Sequence, residues 1–205
     1  NRNRQALGLK YRTDAAGVSE KHFVDSLLIL DQVPLAKGAS LIDVGTGAGF
    51  PGMVLAIARP DLRVTLLDSL NKRALWLLLV SEELGIRNVI CRHGRAEELA
   101  AMPEVRESFD YATARAVARL DVLSEYCLPL VRKGGTFIAC KGPAGEQELA
   151  EADAAIRALG GGTPVRHPCS LPSGDSRLII TVPKERTTPQ RYPRRPGEAA
   201  RKPIR

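Results

Sequence analysis

With 205 residues, 44% of them hydrophobic, the chain can bury a core without disulfides or metals, and its longest apolar run falls well short of the ~20 residues that cross a bilayer. Its net charge of +7 is concentrated at the ends: residues 1–12 and 184–205 together carry +10, whereas residues 13–183 carry −3. Basic ends, the C-terminal one Pro-rich, flanking a mildly acidic middle are the footprint of a polyanion-binding protein, with a merely solvated tail as the plainer reading.

The pattern predicts one domain over 1–205, made of a basic segment 1–18, an α/β core 19–183 and a basic tail 184–205. Ser19 can cap a helix running to about residue 33, with Phe23, Leu27, Leu28 and Leu30 available for burial. A strand at 41–44 leads into a Gly-rich turn, and Pro51 suits the start of the short helix that follows. A strand at 63–67 ends at Asp68; Asn71 can then cap a helix to residue 84, which Gly85 ends. Strands follow at 89–92, 111–113 and 136–140, with a helix at about 120–130 before the last and Gly134-Gly135 as the turn between them. A helix over about 146–159 stops at Gly160-Gly161-Gly162. Two last strands, near Val165 and at 178–182, form an antiparallel hairpin around Ser173-Gly174-Asp175. The fold class is therefore α/β, a seven-stranded, mostly parallel sheet with a C-terminal antiparallel hairpin. That is the Rossmann-like arrangement of class I methyltransferases, and it binds ligands beyond the carboxyl ends of its strands.

The first of those ends is the most informative. Asp43-Val44-Gly45-Thr46-Gly47-Ala48-Gly49-Phe50-Pro51-Gly52 includes a G-x-G-x-x-G match, which by itself points weakly to a dinucleotide. The strand, however, closes one step earlier, with a carboxylate ahead of the first glycine. A carboxylate suits a cationic ligand better than a pyrophosphate, and S-adenosylmethionine carries an ammonium and a sulfonium but no phosphate. Asp68 stands 19 residues after Gly49, where it can accept hydrogen bonds from a ribose. After the next strand, Arg95-Ala96-Glu97-Glu98 can offer backbone N–H groups to an adenine. After the fourth, Arg115 puts a permanent cation at the lip of the cleft in place of the Asn/Asp-Pro-Pro-aromatic turn of amino-group methyltransferases. After the fifth, Lys141-Gly142 adds another cation. Cys91, Cys127, Cys140 and Cys169 form no C-x-x-C pair, and His22, His93 and His167 keep no ligand spacing to them, so no metal or redox role is expected. With no secretory signal, a cytoplasmic protein is expected.

These residues carry a resemblance. Lys21-His22-Phe23-x-Asp25-Ser26, the loop 43–52, Leu67-Asp68-Ser69-x-x-Lys72-Arg73, Arg95-Ala96-Glu97, Ala114-Arg115-Ala116-Val117-Ala118, Lys141-Gly142 and Tyr192-Pro193-Arg194-Arg195-Pro196 recur in order over nearly the whole chain. Together they resemble the ribosomal small-subunit methyltransferase G family, also called glucose-inhibited division protein B. The resemblance implies S-adenosylmethionine-dependent methylation of a guanine N7 in 16S rRNA, with Gly45, Gly47, Gly49, Phe50, Asp68, Ala96, Glu97 and Arg115 at the cofactor. Arg115 and His22 are the candidates for positioning, and no catalytic side chain is required. Arg73, Lys141, Arg177, Arg191, Arg194 and Arg195 are the expected RNA contacts. The expected partner is 16S rRNA or the small ribosomal subunit, with no DNA and no membrane, and the expected state is a monomer. The competing readings are a methyltransferase of another acceptor, or an RNA-binding module that keeps the cofactor fold without turnover.

Overall fold

Strands β1 (Ser40–Val44), β2 (Arg63–Asp68), β3 (Val89–His93), β4 (Phe109–Arg115), β5 (Val131–Lys141), β6 (Val165–Ser170) and β7 (Ser176–Pro183) form one sheet in the order β3-β2-β1-β4-β5-β7-β6. The computed structural model describes residues 15–205, so Arg2, Arg4, Lys10 and Arg12 lie outside the described residues. The first five strands are parallel; β7 runs antiparallel to both β5 and β6. Around the sheet lie α1 (Ala15–Val18), a π-helical segment (Ser19–Val24), α2 (Asp25–Gln32), α3 (Gly52–Ala58), α4 (Asn71–Glu83), α5 (Ala96–Ala100), α6 (Leu120–Cys127), a 3₁₀ turn (Leu128–Leu130), α7 (Gly145–Ala158) and α8 (Glu198–Arg201).

Period-two alternation splits β1, β2, β4, β5 and β7 between two cores. Ile42, Leu67, Phe137 and Ala139 pack with Leu120 and Leu123 of α6 and Ile156 of α7 on one face. Leu41, Leu66 and Ile138 pack with Ile29 of α2, Leu55 of α3 and Leu77 of α4 on the other. In β1, Asp43 sits beside Leu66 of β2 and Thr113 of β4. Chain order reverses at this point, so the connections after β1 and β4 lead to helices on opposite faces of the sheet, α3 and α6, and leave a crevice above the strand ends.

Several local expectations need correction. Ser19 does not cap a helix: it lies inside a continuous helical run, at the start of the π-helical segment. Phe23 and Leu27 are exposed at 44% and 36%, while Ile29 and Ser26 are the fully buried residues of that run. Asn71 is the first residue of α4 and not its cap; the preceding Leu70 N–H donates to Asp68 Oδ1 at 2.9 Å. Gly134-Gly135 falls within β5, where the pairing jumps from Phe109–Val131 to Tyr111–Thr136, an irregularity in the ladder and not a turn before the strand. Gly135 is needed there, because a Cβ would lie 2.4 Å from the Asp110 carbonyl oxygen. The helix expected to reach residue 130 tightens to 3₁₀ after Cys127, where Pro129 follows.

The largest departure is the tail, which is packed onto the core. The buried Lys184 ion-pairs with Glu107 at 2.9 Å and donates to the Leu128 carbonyl and Thr188 Oγ1. Arg106 donates to the carbonyls of Thr188 and Tyr192 at 2.7 and 2.8 Å. Arg194 forks onto the buried Glu125, its backbone N–H donating to the same carboxylate at 2.8 Å. The Gly197 N–H donates to Glu97 at 3.1 Å, and Tyr192 and Ile204 pack against the core of the α6/α7 face.

Candidate functional site

At the crevice above β1 and β4 lies a cavity of about 840 Å³. Its walls come from the loop after β1 (Gly45, Thr46, Gly47, Ala48, Phe50), the loop after β4 (Arg115 to Arg119), the end of β5 (Cys140, Lys141) and the helical run before β1 (Lys21, His22, Asp25).

The loop after β1 is held from below. Gly45 and Thr46 both donate to the Leu67 carbonyl, at 2.8 and 3.0 Å. Gly45 has φ +70°, and a Cβ there would lie 2.7 Å from Val117 Cγ2, so only glycine allows the two loops to approach this closely. Asp43, wholly buried, accepts from the Gly52 N–H at 2.9 Å and so fixes the start of α3. Burial pushes its carboxyl up to about 6. Asp43 thus faces inward under the loop instead of lining the cavity. Its Oδ1 and the hydroxyls of Thr46 and Thr113 are buried without a hydrogen-bond partner among the described residues.

Of the expected cofactor residues, Gly45, Gly47, Phe50 and Arg115 line the cavity. Gly49 does not; a Cβ there would press on Met53 and Leu77. Asp68 lies just behind the wall, 2% exposed, and accepts from the Gly47 N–H at 2.9 Å and from Arg73 at 3.4 Å. Ala96 and Glu97 are buried outside this lining, with Glu97 turned to the tail at Gly197.

Aromatic and cationic groups are stacked at the mouth. The His22 ring stacks on Phe50 with centroids 5.1 Å apart, Phe23 meets Phe50 edge-on at 5.2 Å, and the Arg115 guanidinium sits 5.4 Å from the Phe50 centroid. Arg115 Nη2 lies 3.4 Å from His22 Nδ1; burial, then the Arg115 charge, lower the His22 pKa.

Among the expected RNA contacts, Arg73, Lys141 and Arg177 line the cavity, but each has a carboxylate beside it. Lys141 pairs with Glu148 at 2.7 Å, Arg177 with Asp25 at 2.9 Å and Arg73 with Asp68 at 3.4 Å. Arg191 lies over the Tyr192 ring at 5.1 Å, and Arg195 is exposed. Arg194 departs from expectation: its guanidinium is committed to Glu125. The sequence marks no partner for Asp25, because its cations come from distant strands, Arg115 lying 90 residues away and Arg177 152. Nothing local in the sequence marks such a pairing.

S-adenosylmethionine suits this site. The loop offers a turned backbone with a buried, unpartnered Thr46 hydroxyl, Arg115 offers a cation, Phe50 an apolar face and Asp68 a carboxylate just behind the loop.

The family model for rRNA small subunit methyltransferase G matches residues 1–170. A ribosomal RNA small subunit methyltransferase G of Lactobacillus delbrueckii subsp. bulgaricus is 49% identical over 195 residues, covering 94% of this chain and 82% of its own. One of Moorella thermoacetica is 45% identical over 201 residues, covering 98% and 84%. Among solved structures, an O-methyltransferase predicted for Agrobacterium tumefaciens superposes with a TM-score of 0.64 at 19% identity, covering 80% of this chain and 83% of its own. A SAM-dependent methyltransferase of Aquifex aeolicus gives 0.59 at 18%, covering 82% and 93%. The cavity at the reversal of strand order, the glycine loop that floors it and these matches lead to one conclusion: the chain belongs to the rRNA small subunit methyltransferase G family, whose members are S-adenosylmethionine-dependent methyltransferases.

Proposed function

We propose that the protein methylates N7 of a guanine in 16S rRNA, acting in the cytoplasm on the RNA or on the small ribosomal subunit. The observation that carries this reading is the character of the cavity: among the described residues, cations and stacked rings crowd its mouth. Guanine N7 has an in-plane lone pair at neutral pH, so no proton must be removed before transfer. Orientation is then the main task of the protein.

The residues divide that task. The 45–50 loop, Asp68 and Arg115 would hold the cofactor, with Ala96 and Glu97 on its adenine side by resemblance. When bound, S-adenosylmethionine supplies an electrophilic methyl group. Phe50, His22 and Phe23 give flat surfaces on which a purine can stack, and Arg73, Lys141 and Arg177 give donors for its phosphates. Arg191 and Arg195 extend the basic surface along the tail; Arg194, locked onto Glu125, serves the fold.

Mass mapping of 16S rRNA, incubated with cofactor in the presence and absence of the protein, tests the reading. A single new methyl on a guanine, at which borohydride reduction and aniline then break the strand as they do at N7-methylguanine, is the expected result. Methylation at a ring carbon, at an exocyclic amine, or of no RNA at all would refute it.

A further inference from the structure

The carboxylate of Asp25 lies between two guanidinium groups brought from different strands. Its Oδ2 accepts from Arg115 Nη1 at 2.9 Å and its Oδ1 accepts from Arg177 Nε at 2.9 Å. The three side chains are largely buried, 12% exposed for Asp25, 15% for Arg115 and 21% for Arg177. Arg115 ends β4 and Arg177 lies in β7, and β5 separates these strands in the sheet. Asp25, the first residue of α2, therefore ties together two strand ends that do not touch through the ladder.

The chain just before Asp25 contributes to the same clamp. In the π-helical segment, the Lys21 carbonyl accepts from Arg115 Nη1 at 3.4 Å, and the His22 carbonyl accepts from Ser26 Oγ at 2.5 Å. A widened helical turn frees carbonyl groups for such contacts, and π segments recur at functional sites. Arg115 is thus held from one side by Asp25 and the Lys21 carbonyl while its face rests against Phe50. Of these groups, only Asp25 is an anion.

We propose that Asp25 is a positioning residue for the cofactor site: by bridging Arg115 and Arg177 it fixes the Arg115 guanidinium against Phe50, in the place where it meets S-adenosylmethionine. The inference rests on the methyltransferase reading of this cavity. Two physical effects oppose each other when the carboxylate is removed. Charge alone leaves the Arg115 guanidinium unbalanced and Arg177 with only Asp175, 4.0 Å away, which favours an anionic ligand group and predicts tighter binding. Loss of the bridge frees a long side chain, whose ordering must then be achieved on binding, and predicts weaker binding. The two-sided geometry and burial of the clamp make the second effect dominant.

Calorimetric titration of the full chain with S-adenosylhomocysteine separates the two without relying on turnover. Asp25→Asn, close in shape but uncharged, is expected to weaken binding about tenfold, and Asp25→Glu to recover most of it. In an Arg115→Gln background, Asp25→Asn should change affinity by less than about twofold, because its effect acts through Arg115. The Arg177 Nε–H, which donates to Asp25, should exchange slowly with water in the NMR spectrum of the parent protein and rapidly in that of Asp25→Asn. Unchanged or tighter binding by a folded Asp25→Asn, or the same weakening with and without Arg115, would overturn the proposal. Should Asp25→Asn fail to fold, Arg177→Lys breaks the same bridge from the other side, and unweakened binding there overturns it equally. A parent protein that binds S-adenosylhomocysteine but leaves 16S rRNA unmethylated refutes the proposed substrate and leaves the clamp standing.

Discussion

Asp43 shows how one buried side chain links loop geometry to pH. Its carboxyl is raised from 3.8 to about 6 by burial, against the opposing hydrogen bond from the Gly52 N–H. Between those values the native state holds a proton that the unfolded chain has released, so this group's contribution to stability declines as pH rises from about 4 to 6 and is fully lost above that. At 1.36 kcal/mol per unit the change amounts to about 3 kcal/mol. Asp43→Asn keeps an acceptor for the Gly52 N–H and removes the charge. Urea unfolding at pH 4 and pH 7 should therefore show the variant gaining on the parent protein by up to about 3 kcal/mol at the higher pH. A difference that does not change with pH would mean that Asp43 titrates normally. His22 tests the chemistry at the same scale. If it only stacks on Phe50, His22→Gln should lower single-turnover methyl transfer by less than about tenfold, with a profile flat from pH ~6 to 9, whereas loss of a general base costs about 10²- to 10⁴-fold.

The tail is the element on which sequence and structure part most clearly. Arg194 and Arg195 are adjacent and chemically alike, yet one grips a carboxylate that is 1% exposed and the other faces solvent. Arg194→Ala leaves Glu125 buried without its cation and should cost about 3 kcal/mol or more, read as a lower thermal midpoint. Arg195→Ala should change stability by less than about 0.5 kcal/mol. Equal melting temperatures for the two variants would mean that Arg194 is not an anchor. The same contrast explains what could be read from the sequence. Strand and helix periodicity and glycine turns are local, so the seven strands, their order of types, the loop after β1 and the stop at Gly85 were legible in the chain. The anchors of the tail were not, because Glu125, Glu107 and Glu97 lie far from Arg194, Lys184 and Gly197 in sequence. A basic, Pro-rich stretch held by such distant acids has the composition of a solvated one. Asn71 misled because its residue type suits a cap, whereas it is already helical and no side chain caps α4; Asp68 accepts only from the N–H of Leu70, just before the helix.

Across the whole molecule, the charge that distinguishes the ends from the core decides what the tail can do for RNA. Because the segment is docked, its cations divide into those consumed by the fold, Lys184 and Arg194, and those presented outward, Arg191 and Arg195 among them. Truncation after Pro183 is accordingly a poor test of RNA binding, since it also strips Glu107, Glu97 and Glu125 of their partners; it should destabilise the fold and weaken cofactor binding secondarily. Arg191→Gln with Arg195→Gln avoids that confusion. If both residues touch phosphates, the double variant should bind 16S rRNA more weakly, and the log–log dependence of affinity on salt should flatten by ~0.7 to 0.9 for each phosphate that is no longer neutralised. Its melting temperature and its affinity for S-adenosylhomocysteine should stay those of the parent, because neither side chain lines the cavity. A salt slope identical to the parent's would remove the tail from the RNA-binding surface and leave that role to the cations around the cavity mouth.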